Sequence, residues 1–461
     1  MRIALILSFI LVISSGLASQ SEEIMTFTEY LAMVKKHHPI VKQANLVLLE
    51  SEIKVLEARG SFDPKLEFNL DEKQFKDQEY FSRADASFKL PTWYGVSFKA
   101  DFENNSGVFL NPESTVPSSG LFSMGINLSL GEGLWINQRL ATLKQAKLYV
   151  NQAEADTKIL VNQILYEASA AYFSWFKAYN EKRVYEDFLN NAEERFIGIK
   201  SSIELGERPA IDSVEARIIF NNRKLNAENA GLKFLKSSLK ISNYLWLENV
   251  PVELKQFVIP ELDPFISVDN SLNLNELKAG LYEFKNHPKI QSYNYKLLGT
   301  EIEKKFRRNQ LLPTVDLRYN SLSETIGTGD YLGINDYKFG VFIQAPLFLR
   351  KERAKLKLTT LKIDALNFEL NAVELTLRNK VESAINEISS YETQLEITEQ
   401  IVSDYEILLT GEEAKFEAGE SSLFLINSRE SKLIENRLKA IKTQNELLLA
   451  KGTLYNVLVF Y

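Results

Sequence analysis

The chain has 461 residues, 45% of them hydrophobic and 25% charged, with 54 basic against 61 acidic side chains, three histidines and no cysteine. A formal charge of −7 with no basic run excludes nucleic acid as a natural partner, because phosphate would be repelled. Disulfides, thiolate metal sites and cysteine nucleophiles are ruled out, and three histidines leave little for a proton shuttle or a zinc site. The composition leans away from enzymes, and no cofactor or metal is expected.

The first element is a leader. Arg2 precedes an apolar run from Ile3 to Ile13 and then Ser14, Ser15, Gly16, Ala18 and Ser19, which reads as a secretory signal peptide over residues 1–19, cut after Ala18 or Ser19. The run is shorter than the roughly 20 apolar residues of a spanning helix. No later stretch is apolar for long enough either, so a mature chain that crosses a membrane must do so with strands.

A short helix is expected from about residue 40, entered through His38-Pro39, and after Pro64 the period changes to two. Leu66, Phe68 and Leu70 alternate with Lys65, Glu67 and Asn69, while Ala84, Ala86, Phe88 and Leu90 alternate with Arg83, Asp85, Ser87 and Lys89. Val96 to Glu103 and Phe122 to Ser129 repeat the alternation. From about 137 to 205 breakers nearly vanish and helix formers dominate, predicting a helix on the order of 100 Å long. Its apolar positions Ile164, Ala168, Ala171, Trp175, Ala178, Tyr185, Leu189, Ala192, Phe196, Ile199 and Ile203 step by fours and threes, with Lys182 the one polar break. That 3.5-residue period is a coiled-coil seam. Leu205-Gly206-Glu207-Arg208-Pro209 then ends this helix and a return helix runs from about 211 to 247, forming an antiparallel hairpin.

A connector over 248–271, punctuated by Pro251, Pro260 and Pro264, leads to a second pass through the same elements. At an offset of 249, His38, Pro39, Glu52, Ile53 and Pro64 fall on His287, Pro288, Glu301, Ile302 and Pro313. At an offset of 213, Leu134, Ala141, Gly198, Gly206 and Glu207 fall on Leu347, Ala354, Gly411, Gly419 and Glu420. The chain thus reads as an α+β tandem duplication, with repeats over 20–247 and 272–461. The first repeat carries 36 more residues between its strand markers, the size of one hairpin, so four strands are expected there and two in the second, around Val315–Tyr319 and Tyr337–Val341. A helix follows to the break at Ala418-Gly419-Glu420-Ser421-Ser422, then a return helix over about 423–457 that takes in the last residues.

Export, aromatic-rich apolar strand faces and charged opposite faces suit a barrel with a lipid face and a polar lumen. Six strands are fewer than the eight of the smallest membrane barrels, so several chains must contribute. The glycine-rich stretch Gly327 to Gly333 superficially suggests a phosphate loop, but it joins two strands and reads as a hairpin turn. His37, His38 and His287 read as helix-start residues rather than metal ligands.

The duplicated His-Pro entry, Pro346-Leu347-Phe348 after the strands and the Gly-Glu breaks resemble the TolC-like outer-membrane efflux proteins across nearly the whole mature chain. The resemblance implies a homotrimer whose strands form one β-barrel in outer-membrane lipid, continued by a long periplasmic α-helical barrel. It also implies a passive exit duct of a tripartite efflux or type I secretion system, working with a periplasmic adaptor (membrane fusion protein) and an inner-membrane RND or ABC pump. The alternative is a periplasmic coiled-coil scaffold or adhesin without a pore. In the family the helix tips close the tunnel and the adaptor docks there. That carries a gate role to Asp212, Glu207, Arg208, Glu420 and Arg429, and adaptor contact to Gly206, Pro209, Gly419, Ser421 and Ser422. Leu425 and Ser428 depart from the acidic residues of well-known members. The family norm is four strands per chain, so a twelve-strand barrel is expected, with the extra hairpin lengthening it or lying at its rim.

Overall fold

Period-two and period-3.5 stretches alternate along the chain, and the computed structural model turns each into the corresponding element. It describes residues 23–255, 257–274, 284–325 and 335–459. The leader, the turn expected at Gly327 to Gly333 and the terminal Phe460 and Tyr461 lie outside the described residues.

In chain order the elements are β1 (Glu23–Met25), α1 (Phe27–His37), α2 (Pro39–Gly60), β2 (Lys65–Phe75), β3 (Gln78–Pro91), β4 (Val96–Ser106) and β5 (Leu121–Gly131). These are followed by α3 (Gln138–Glu204), α4 (Ala210–Ser242), β6 (Trp246–Leu247), β7 (Val250–Pro251), β8 (Val258–Pro260) and α5 (Phe265–Ser271). The remainder is α6 (Pro288–Asn309), β9 (Thr314–Ser323), β10 (Tyr337–Gln344), α7 (Arg350–Glu417) and α8 (Leu423–Leu458). The helices α2 and α6 have 22 residues each, and α3 and α7 have 67 and 68.

Two units make up the chain, one of residues 43–160 and 282–378, the other of 1–42, 161–281 and 379–461. The first holds all the strands of a six-stranded antiparallel sheet in the order β10-β9-β5-β4-β3-β2. Apart from a register shift between Lys73 and Gln74 in the β2–β3 pair, its register keeps the alternation in phase from strand to strand. Leu66 lies opposite Phe88, Phe88 opposite Ala100, Ala100 opposite Met124, Met124 opposite Ser321 and Ser321 opposite Tyr337. One face is therefore predominantly apolar and the other predominantly polar across the six strands. This corrects the expectation that the extra hairpin of the first repeat lengthens the sheet or lies at its rim: all four strands of that repeat pair side by side with the two of the second, because a single phase of alternation lets them share both faces.

The second unit is mainly helical, with the short pairs β1–β8 and β6–β7. Phe27 of α1 stands edge-on to Tyr172 at 5.3 Å and stacks on Phe173 at 5.4 Å, and Tyr172 meets Trp175 at 5.6 Å. The polar atoms of these rings are satisfied: Tyr30 donates to the Ala168 carbonyl (3.1 Å), Tyr172 to that of Met25 (2.8 Å), and Trp175 to Ser238 Oγ (3.0 Å). Seam residues Ile164, Ala168, Ala171, Trp175, Ala178, Ala192 and Ile199 are buried, as are Val381, Ala384, Ile388 and Leu409 of α7.

The return helix α4 ends at Ser242, earlier than the expected 247, because Glu248 and Asn249 take φ of +48° and +73° and turn the chain into the β6–β7 hairpin. The expected connector therefore contains β7, β8 and α5, and β8 pairs in parallel with β1. The final helix stops at Leu458, where Val459 is left-handed. His38 and His287 explain the repeated His-Pro. Each Nδ1 accepts from the backbone N–H two residues on, at 3.3 Å from Ile40 and 3.1 Å from Lys289, capping a helix that proline opens.

Candidate functional site

Both helical tips are built the same way. The Gly206 N–H donates to Ile203 O (3.0 Å) and the Glu207 N–H to Ser202 O (2.9 Å); Gly419 and Glu420 donate to Phe416 O (3.0 Å) and Lys415 O (2.8 Å). This is the Schellman arrangement, and both glycines sit at φ +76°, where a Cβ is disfavoured. Glu207 and Glu420 thus serve through their backbone. Pro209 precedes α4, and the Ser422 hydroxyl caps α8 by accepting from Leu425 N at 3.3 Å.

The side chains of the two tips are joined. Arg208 lies 3.8 Å from Asp212 and its guanidinium covers the Phe416 ring at 4.3 Å, so the first tip rests on the last turn of α7. Beneath them Ile199, Ala216 and Leu423 form a small core with Phe196, Ile203 and Phe416. At the second tip Ser421 donates to Glu412 (2.5 Å), and Arg429 approaches the same carboxylate at 3.7 Å. Of the ten residues expected at the tips, Arg208 meets Asp212 at the first, Ser421 and Arg429 meet on Glu412, a carboxylate that sequence reasoning missed, at the second, and the other six form the turns and helix starts.

A deeper clasp was also missed. Glu430 is fully buried and accepts from Arg195 Nη1 at 2.6 Å and from Arg223 Nε at 3.2 Å, while Arg223 Nη2 donates to Ser431 (3.1 Å). Arg195 also lies 3.5 Å from Glu413, whose carboxyl is pushed above its ordinary range by burial, with the Glu430 charge adding to the rise. One carboxylate thereby ties α8 to α3 and to α4. No copy of this trio occurs in the other repeat: Glu430 corresponds to Arg217, and Arg195 to Leu408.

Apolar surface is left uncovered in both units. On α4, Ile211, Ile218, Leu225, Leu232 and Leu239 recur every seventh residue and each is at least half exposed. Leu46, Leu49, Ile53 and Leu56 of α2 form a second exposed seam, and Leu361, Phe368 and Leu375 of α7 a third. Sustained sevens of this kind specify helix–helix packing, and the heptad count along α4 was readable in the sequence. The apolar sheet face is likewise open, with Leu66, Phe68, Met124, Phe339 and Ile343 exposed. Phe62 stacks on Trp93 at 5.3 Å at the helix end of the strands, near exposed Tyr94, Trp135 and Phe348; Tyr80 meets Phe109 at 4.6 Å at the other end. Aromatic bands flanking an apolar band are the signature of strands in a bilayer.

An amphipathic six-stranded sheet and two long helical hairpins define the α+β fold class of the chain. Residues 285–458 match the family described as outer membrane efflux protein. The solved structures most informative for the fold are the channel CusC (TM-score 0.66, 11% identity, 97% of this chain and 95% of that one), VceC from Vibrio cholerae (0.64, 11%, 93% and 95%) and CmeC from Campylobacter jejuni (0.63, 14%, 93% and 84%). The chain has the fold of these outer-membrane channels. No curated protein matches it in sequence.

Proposed function

We propose that the protein is the outer-membrane exit duct of a tripartite efflux or type I secretion system. It acts as a homotrimer that passively conducts cargo handed over by an inner-membrane pump through a periplasmic adaptor. The observation that carries this is the uncovered apolar surface. A coiled-coil scaffold or adhesin would have no use for a six-stranded sheet with one exposed apolar face, whereas lipid covers such a face readily. The exposed seams on α2, α4 and α7 are matched by further copies of the same chain, because one repeating surface packing head to tail closes a ring. The two edge strands, β2 and β10, pair between copies in the same way, so three protomers supply eighteen strands.

The tandem duplication over 20–247 and 272–461 gives each protomer two hairpins for the tunnel wall, with the paired tips at its entrance. There the adaptor docks against Gly206, Pro209, Gly419, Ser421 and Ser422, and Asp212, Arg208, Glu207, Glu420 and Arg429 hold the closed state. Purification from outer membranes in detergent, followed by mass determination and planar-bilayer recording, tests the reading. A trimer with pore conductance is expected; a monomer that stays soluble without detergent overturns it.

A further inference from the structure

On the polar face of the sheet the register sets like charges side by side. Lys65 of β2 lies directly opposite Lys89 of β3, which lies opposite Lys99 of β4. The same row continues through Gly125 and Asn320 to Lys338 of β10. Four of the six positions in one line across the sheet are lysine, although like charges directly opposite one another destabilise strand pairing. Arg318 stands two residues from that line on β9, and Arg139 reaches in from the first turn of α3. All six cations line one cavity of about 890 Å³, in which Glu67 is the one lining carboxylate.

Two of the cations are compensated. Lys89 pairs with Glu67 at 2.8 Å and Lys99 with Asp101 at 2.7 Å. Among the described residues Lys65, Arg318, Lys338 and Arg139 form no ion pair, and Arg139 instead lies over the Phe62 ring at 5.8 Å. The cavity therefore carries an excess of four positive charges in a protein whose overall charge is −7. The remaining acidic residues of this face on the strands, Asp71, Asp85, Glu103 and Asp316, lie outside the cavity. A bland solvated face would intersperse the two signs evenly, whereas inside this cavity six cations face one carboxylate.

We propose that this lysine stripe is an anion-binding filter on the duct wall, which makes the open pore anion-selective and favours small anionic cargo. The inference rests on the reading of the polar sheet face as the lumen. A concave wall of one sign concentrates counter-ions and excludes co-ions, and the effect is strongest at low salt. Lys65 and Lys338 carry it best, because neither is needed to neutralise a carboxylate.

The test is the reversal potential of the purified trimer in planar bilayers under a potassium chloride gradient. It is run for the wild type and for the double variant Lys65→Glu with Lys338→Glu, both of which are exposed positions. The wild type is expected to pass chloride in preference to potassium, and the double variant to lower the chloride-to-potassium permeability ratio by about tenfold. Inorganic phosphate added at constant ionic strength should reduce the wild-type chloride current and leave that of the variant unchanged. A conducting wild type that prefers potassium, or a ratio unmoved in a variant of normal trimer yield, overturns the filter and leaves the duct standing. No conductance from any preparation overturns the duct and the filter together.

Discussion

The two helices of the first hairpin carry seams of the same period with opposite fates. On α3, Trp175, Ala171 and Ala168 are buried within the chain, whereas on α4, Leu225, Leu232 and Leu239 remain exposed. Period alone cannot distinguish them. The difference lies in what faces each seam: α3 has Phe27, Tyr30, Phe234 and α8 available in its own chain, and α4 turns a second stripe toward partners its own chain does not supply. In the proposed trimer the exposed seam of α4 is completed by further copies of the chain.

The comparison can be broken at its most buried point. Trp175→Ala removes a fully enclosed ring and its bond to Ser238, and should cost about 3–5 kcal/mol, seen as a large loss in thermal unfolding of the solubilised protein. Leu225→Glu with Leu232→Glu should leave the fold of the single chain intact and abolish the trimer. Sedimentation in detergent separates the two outcomes, and a stable trimer would show that the α4 seam has no partner.

Glu430→Ala strands Arg195 and Arg223 without their shared carboxylate and should also cost about 3–5 kcal/mol. Glu430→Gln, which keeps the shape, loses less. Equal stability of both variants with wild type would mean the clasp is not holding α8 to the first hairpin.

At the tips, Gly206→Val or Gly419→Val forces a β-branched residue to φ +76° and should cost about 1–2 kcal/mol each. A Cβ at either position would meet no atom within 4 Å, so the loss is purely one of backbone, and Gly206→Asn should restore part of it. Impaired efflux with normal trimer yield is expected for the valines.

Smaller effects come from Asp212→Lys, which replaces the partner of Arg208 by a like charge and should raise pore conductance while changing stability by about 0.5 kcal/mol. Unchanged conductance and unchanged sensitivity to exported compounds would remove Asp212 from the gate. His38 is held below the ordinary 6.5 by burial, against the pull of its bond with the Asn243 backbone. The folded state therefore prefers the neutral ring, and stability present above pH 6.5 is lost as the pH falls through that value toward the lowered one. His38→Asn keeps a capping acceptor and should flatten this part of the pH profile; an unaltered profile would place the proton elsewhere.

Much of this was legible in the sequence because it rests on period and spacing. The six strands, the seam of α3, the paired tips and the His-Pro starts follow from alternation, heptads and the two offsets. What escaped was set by contacts between distant residues. Arg195 and Glu430 are 235 positions apart and have no echo in the other repeat, so neither period nor self-comparison could pair them. The β1–β8 pairing joins two three-residue strands, too short to show any alternation. The lysine row across the sheet became visible only once the register aligned Lys65, Lys89, Lys99 and Lys338, which are scattered along the chain.

The unbroken pairing of β2 through β5 also bears on how such a pore can change over generations. One hairpin inserted into one gene enters the proposed ring three times, so the wall grows by six strands in a single step. Barrel diameter rises roughly in proportion to strand number, and a twelve-strand ancestor would widen by about half at once. Intermediate bores are closed to a symmetric trimer. In the proposed trimer, calibre therefore changes in steps of six strands, whereas a single substitution is enough to alter the electrostatic lining.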